Sequence, residues 1–113
     1  MPRRGEVWVA NFNPSRGREA GKVRPALIVQ SDALAAETTP FVIVLPLSSL
    51  VTPTTAWRVV LPARDRLLRP SQVLIDQPRT LDRARLGDGP LTCLTTEELA
   101  AVTRGLKLVL GLW

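Results

Sequence analysis

The sequence of 113 residues contains no histidine, no tyrosine, a single cysteine and only two lysines. Without histidine, the common imidazole acid/base pair, most zinc sites and the His-dependent nucleophilic triads are excluded. The lone Cys93 closes no intrachain disulfide, which fits a reducing cytosol. With no histidine to activate its thiol, it reads as a small buried apolar residue. No apolar run approaches the ~18 residues that a membrane-spanning helix needs. The opening stretch MPRRGEVWVA is basic, but Glu6 breaks its short apolar piece, so it lacks the core of a secretory signal. These absences point to a cytoplasmic protein with no membrane association. The carboxylates are scattered, so neither a metal site nor a cofactor is expected.

What is present is an ordinary apolar fraction of 45%, a charged fraction of 22% and a net charge of +5. That length suits one domain, residues 1–113, burying about 65% of its unfolded surface. Thirteen of the 15 basic residues are arginine, whose planar fork matches phosphate geometry. A coding bias toward arginine gives the same count, so charge raises the case for a nucleic-acid partner only modestly.

Apolar runs bounded by turn signals predict strands at Gly5–Phe12, Arg24–Ser31, Phe41–Leu50, Trp57–Leu61 and Ser71–Leu81. The third run is nearly continuous and is expected to be buried on both faces, with Pro46 marking a bend or bulge. In the fifth, Pro78 interrupts the ladder. Strands this short, separated by Pro, Gly and Thr turns, favour a small barrel or sandwich over parallel βαβ units. One helix closes the chain. Thr95 and Glu98 have capping-box spacing; Leu99, Val102, Leu106 and Val109 form one apolar stripe; Gly111 is a stop signal. Gly105 within that helix implies close packing. A short helix is expected over Asp32–Glu37, and a surface turn or short helix with internal ion pairs around Arg79, Asp82, Arg83 and Arg85. The predicted class is α+β, mostly β, with five or more strands.

The polar residues at strand ends are few. Glu19 and Arg24 flank the start of the second strand, Ser48 and Ser49 end the third, and Ser71, Asp76, Gln77 and Arg79 belong to the fifth. A carboxylate, a guanidinium and a hydroxyl gathered on one barrel rim suit metal-free cleavage of an RNA phosphodiester. The carboxylate takes the proton of the 2′-OH, the guanidinium neutralises the charge that develops on phosphorus, and the hydroxyl positions an oxygen. Arg24 suits the electrostatic role, because its pKa above ~12 makes it a poor base. Taken alone, the same residues also fit a solvated surface loop with Arg16, Arg18, Glu19 and Lys22, a plain strand end at Ser48, and a backbone-satisfying Gln77.

The order of the motifs separates these readings. The stretch RGEVWVANFNPSRGREAGKVRPALIVQSD resembles the opening of the MazF/PemK-like toxin endoribonucleases, with their R-G-D/E, D-x-x-P, G-x-E-x-G and R-P-A-x-V-x-x-x-D pattern. VIVLPLSS and SQVLIDQPRTLDRARLG resume that resemblance, which spans nearly the whole chain. It implies a compact SH3-like barrel with a C-terminal helix, acting as a homodimer. It also implies metal-independent, sequence-specific cleavage of single-stranded RNA to 2′,3′-cyclic phosphate and 5′-hydroxyl ends, and inhibition by a cognate MazE-like antitoxin. Arg24 matches the catalytic arginine, Ser48 falls where a catalytic threonine is usual, and Glu19 matches a loop glutamate. Gln77 lies in the Q-x-R motif near the RNA groove, Arg79 shares that motif and fits an RNA-binding or a structural role equally, and Arg16 and Arg18 are further RNA-binding candidates. The sequence departs from the pattern at Ser48, which lacks threonine's methyl, at Gly17-Arg18-Glu19-Ala20 in place of G-S-E-Q, and at Asn11-Phe12-Asn13-Pro14 in place of D-x-x-P. A CcdB-like gyrase poison of the same fold is the alternative, and a plain RNA-binding barrel is a third.

Overall fold

A computed structural model describes residues 1–14, 16–19, 21–34, 38–52 and 57–112. Among these described residues seven strands and one α-helix follow in the order β1 (Glu6–Asn11), β2 (Val23–Ile28), β3 (Phe41–Ser48), β4 (Val59–Leu61), β5 (Ser71–Val73), β6 (Arg79–Asp82), β7 (Thr92–Cys93) and α1 (Thr96–Leu110). Every strand pairing is antiparallel, and the sheet runs β4-β5-β3-β2-β1-β7, with β6 on β3. The sheet curls into a half-barrel with the helix at its end, in agreement with the mostly-β barrel expected from the sequence.

Alternation along the three central strands feeds two cores. Val7, Leu27, Leu45 and Leu47 face one way and pack with Val102, while Leu99, Leu106 and Val109 of the helix stripe close over them. Ala10, Ala26, Ile28, Val42 and Val44 face the other way, around Phe12 and Leu81. Each large side chain withdrawn fully from water contributes about 1.5–3 kcal/mol. Burial of β3 on both faces holds from Val44 to Leu47, but Phe41 and Ile43 are exposed. The first half of this strand therefore alternates like an ordinary half-covered strand.

Two prolines decide where the ladders stop. Val9 gives its N–H to Asp88 and accepts from Gly87, so its backbone turns away from β2. Pro25 stands opposite Val9 and consequently turns its own backbone toward β3, where it has no N–H to donate. The β2–β3 ladder ends at Ala26 opposite Pro46, and β2 continues through Arg24 paired to β1 alone. On its other edge, Pro46 accepts from the Leu74 N–H at 2.9 Å but offers nothing back. There Leu47 pairs with Val73 and Val44 with Arg79, which leaves residues 74–78 bulged out opposite Leu45 and Pro46. The bend expected at Pro46 is thus a bulge in the partner chain. It splits the predicted Ser71–Leu81 strand into β5 and β6.

Other expectations change for equally local reasons. Cys93 is exposed, because Thr92 next to it turns inward to Arg64 and Asp65 and alternation sends Cys93 outward. Arg83–Arg85 forms a 3-10 turn capped by Asp82, whose carboxylate accepts from the Ala84 N–H. Arg83 donates to the Thr39 carbonyl, and Arg85 to those of Asn11 and Asn13, in place of the expected ion pairs among themselves. Of the short helix expected at Asp32–Glu37, residues 32–34 form a turn and bend, and 35–37 lie outside the described residues.

The helix has the predicted capping box, Thr95 accepting from the Glu98 N–H and Glu98 from the Thr95 N–H, and ends at Gly111 in the left-handed region, φ 71°. Glu98 also receives two 2.7 Å bonds from the Arg64 guanidinium, tying helix to barrel. That bidentate bond, followed by the capping bonds from Thr95 and the charge of Arg64, holds the Glu98 carboxyl below the usual carboxylate range, against the opposing effect of burial. At Gly105 a Cβ atom would lie 2.9 Å from both the Ile75 side chain and the Trp57 carbonyl.

Two stability predictions follow from these contacts. Gly105→Ala, which in an open helix gains up to about 1 kcal/mol, is expected here to lose about 1 kcal/mol net, because overpacking costs ~1–3 kcal/mol; a higher urea midpoint would contradict the packing described. Glu98→Gln keeps the capping box but removes the charge, and is expected to cost about 1–2 kcal/mol at neutral pH. Because the folded-state pKa of Glu98 is depressed, its contribution is complete above the unfolded carboxylate value of about 4.3 and fades as pH falls through the lower folded value. The gap between wild type and Glu98→Gln in thermal denaturation should therefore close on acidification and persist on the alkaline side.

Candidate active site

Where β2 and β3 part, a cavity of about 630 Å³ opens. Arg24 lines it from the start of β2 and Ser48 from the end of β3. The Arg24 Nε–H donates to the Gly21 carbonyl at 2.8 Å, which anchors the side chain and leaves its terminal nitrogens for the cavity. Ser48 Oγ accepts from the Leu50 N–H at 3.1 Å, so the hydroxyl oxygen is fixed and its proton is available to donate. Ser48 pairs across β3–β5 with Gln72, a buried side chain whose Nε2–H donates to the Thr52 carbonyl at 2.8 Å. This places Ser48 on a strand end supported from below.

The loop before β2 is closed at its base. The Lys22 N–H donates to Asn13 Oδ1 and the Lys22 carbonyl accepts from the Phe12 N–H, both at 2.8 Å. Glu19 lies beyond that closure, on the exposed part of the loop, where its carboxylate accepts from the Arg16 N–H at 2.8 Å. It lines a second cavity, of about 410 Å³, with Arg18, Asp76, Gln77, Pro78 and Arg79. Asp76 and Gln77 stand there because the bulge opposite Pro46 expels them from the ladder. Asp76 is held by two 3.1 Å bonds from Arg58, and the Arg79 guanidinium sits 5.6 Å from the centroid of the buried Phe12 ring.

The residues singled out from the sequence therefore fall into two groups. Arg24 and Ser48 share one cavity; Glu19, Arg18, Gln77 and Arg79 share the other, and Arg16 lines neither. Sequence reasoning did not assign Lys22, Arg66 and Arg69, which join Arg24 in the larger cavity, or Ser71, whose hydroxyl donates to the Arg69 carbonyl at 3.0 Å. Arg66 and Arg69 belong to the segment between β4 and β5, and no motif marks them. The one available signal is Lys22, a lone lysine two residues before the R-P step. Among the described residues the lining of the larger cavity includes four basic side chains and no carboxylate, an arrangement suited to anions. Among the described residues no three Asp, Glu or Cys side chains gather in a way that holds a metal ion.

Comparison with known proteins bears on this geometry. Residues 3–110 match the family model described as the PemK-like, MazF-like toxin of type II toxin–antitoxin system. The endoribonuclease MazF of Staphylococcus saprophyticus is 33% identical over 116 residues, covering 99% of this chain and 93% of the relative. The crystal structure of MazF from Deinococcus radiodurans superposes with a TM-score of 0.81 at 32% identity, over 97% of this chain and 96% of that one. A MazE–MazF complex from the same organism gives 0.77 at 30% identity, over 99% and 98%. An endoribonuclease from a mycobacterial species, solved with its cognate antitoxin, gives 0.78 at 26% identity, over 100% and 98%.

Proposed function

The chain belongs to the PemK-like, MazF-like toxins of type II toxin–antitoxin systems, and from that membership we propose that it is the toxin of such a pair, an endoribonuclease acting on single-stranded RNA. The observation that carries this reading is the pairing of Arg24 and Ser48 on the two lips of a cation-lined cavity that, among the described residues, bears no carboxylate. In the proposed reaction the 2′-oxygen of the substrate bonds to the adjacent phosphorus as the P–O5′ bond breaks, leaving a 2′,3′-cyclic phosphate and a 5′-hydroxyl. Arg24 offsets the negative charge that builds on the phosphoryl oxygens, and the Ser48 hydroxyl donates to one of them. Glu19 takes the proton of the 2′-OH, and the leaving 5′-oxygen is protonated from water. Because Glu19 lines the second cavity, this role requires its loop to bend over a phosphate held between Arg24 and Ser48. Gln77, Arg79, Arg18 and Arg16 are proposed to hold the RNA on the Glu19 side, where an amide and guanidinium groups suit base edges and phosphates.

The remaining features are consistent with residues 1–113 acting as a single toxin domain. Exposed Val23, Leu50 and Leu68 border the Arg24 cavity and supply an apolar surface for a homodimer. A MazE-like antitoxin is the proposed cognate partner, its acidic segments suited to the same basic surface. Cytoplasmic residence follows from the RNA substrate; among the described residues no helix is long and apolar enough to cross a membrane. The gyrase-poison reading is not favoured, because the relatives matched along the whole chain are endoribonucleases.

Arg24→Ala is expected to lower cleavage of a long unstructured RNA by about 10²–10³-fold or more with an unchanged circular dichroism spectrum; near-native cleavage would remove Arg24 from the reaction. Digestion in EDTA, with mapping of the ends, should give the same cut sites as digestion with magnesium and 2′,3′-cyclic phosphate termini. Activity that returns only with a divalent ion would overturn the metal-independent chemistry.

A further inference from the structure

Lys22 is one of two non-glycine residues with positive φ among those described, at 69°. For a residue with a Cβ this conformation costs about 1 kcal/mol or more and persists only where the surroundings impose it. They do so here: Asn13 holds the Lys22 N–H and Phe12 holds its carbonyl. The backbone is thereby fixed on both sides while the side chain stays exposed and lines the Arg24 cavity. In the same cavity Arg69 is held by a different device. The buried Ser71 donates to its carbonyl, and the guanidinium is likewise exposed.

The four basic side chains of the cavity are not equivalent. Arg24 has its Nε committed to Gly21, and Arg66 is ion-paired with Asp88. Among the described residues the Lys22 ammonium and the Arg69 guanidinium have neither a hydrogen bond nor an ion pair. Two unpaired cations on rigid backbone therefore flank a site whose volume, about 630 Å³, exceeds the needs of a single phosphate. Such groups have no ion pair to break when an anion arrives.

We infer that Lys22 and Arg69 form a second phosphate-holding pair in the Arg24–Ser48 cavity, gripping the RNA backbone next to the phosphate that is cut. This inference rests on the RNA-cleaving reading of the same cavity. The pair contributes binding without base selection, since phosphate contacts fix register and carry no sequence information. Neither residue touches the reacting phosphorus, so both act on affinity: each removal raises KM for RNA and leaves kcat unchanged.

The test uses a labelled single-stranded DNA 12-mer of mixed sequence, which lacks the 2′-OH and stays intact. Its affinity for the full chain is measured from 50 to 300 mM salt. Each phosphate contact on a single strand contributes about −0.7 to the slope of log K against log salt. Lys22→Gln and Arg69→Gln should each flatten the slope by about 0.7, and Lys22→Arg and Arg69→Lys should restore it. Arg104→Gln, on the exposed face of α1, should leave it as in wild type. Circular dichroism confirms that each variant is folded. Unchanged slopes in both Gln variants overturn the inference, as does a loss of affinity for an acidic peptide with none for the oligonucleotide. A wild-type protein that binds the oligonucleotide with the expected slopes but cuts no RNA would refute the nuclease reading and leave the phosphate pair standing.

Discussion

A proline has no N–H to place in a sheet, and in this fold two of them sit on the central ladder with their backbones facing different neighbours. Pro25 faces β3 and Pro46 faces the β5–β6 side, so each removes one bond from a different edge. The first loss lets β2 and β3 separate beyond Ala26, and the gap becomes the cavity of Arg24 and Ser48. The second forces five residues opposite two, and the excess chain carries Asp76 and Gln77 out to the cavity of Glu19. Both candidate sites thus arise from one missing chemical group, used twice. The apolar pattern holds the strands together on either side of each gap, where Leu27, Ile28, Val44 and Leu45 are fully buried.

The rest of the molecule keeps these gaps in place. Glu98 caps the helix and, with the same carboxylate, binds Arg64 at the start of a tight turn closed by reciprocal 2.9 Å bonds between Arg64 and Leu67. That turn contains Arg66 and is followed by Arg69, so the helix is connected by charge to residues that line the larger cavity. Arg4 makes a comparable tie, donating to the Val29 carbonyl and, at 3.1 Å, to Thr103 of the helix. The chain's arginine content therefore serves two ends: some guanidinium groups bind carbonyls and carboxylates within the fold, and others remain turned to the cavities.

Local signals were legible in the sequence and distant ones were not. The capping box at Thr95 and Glu98 depends on residues three apart, and it is found as read. The second duty of Glu98 depends on a residue 34 positions away and leaves no mark in any window. Pro46 announced a bulge, but which chain would bulge depends on the direction its carbonyl faces, which is set by tertiary pairing. The same ambiguity concealed the break between β5 and β6. Cys93 was misjudged because a two-residue strand shows no alternation until its partner Thr92 is known to point inward. Arg24 and Ser48 came together as expected because strand ends on one ladder converge. Glu19 went to the other cavity because a loop's direction is not fixed by the strand it precedes.

The closure at Asn13, Phe12 and Lys22 has a consequence for how such a protein diversifies. It seals the sheet from the segment between residues 13 and 22 with bonds made at the segment's two ends. Among the described residues the bonds that hold the ends together are made at the ends themselves, so apart from Glu19 and from Gly21, which anchors Arg24, the side chains between can change while the barrel keeps its stability. Change in the exposed loop is thereby separated from change in what is folded. A lineage of such proteins can rewrite this one loop, with the Arg16 and Arg18 side chains it carries, while the strand ends that bear Arg24 and Ser48 stay the same.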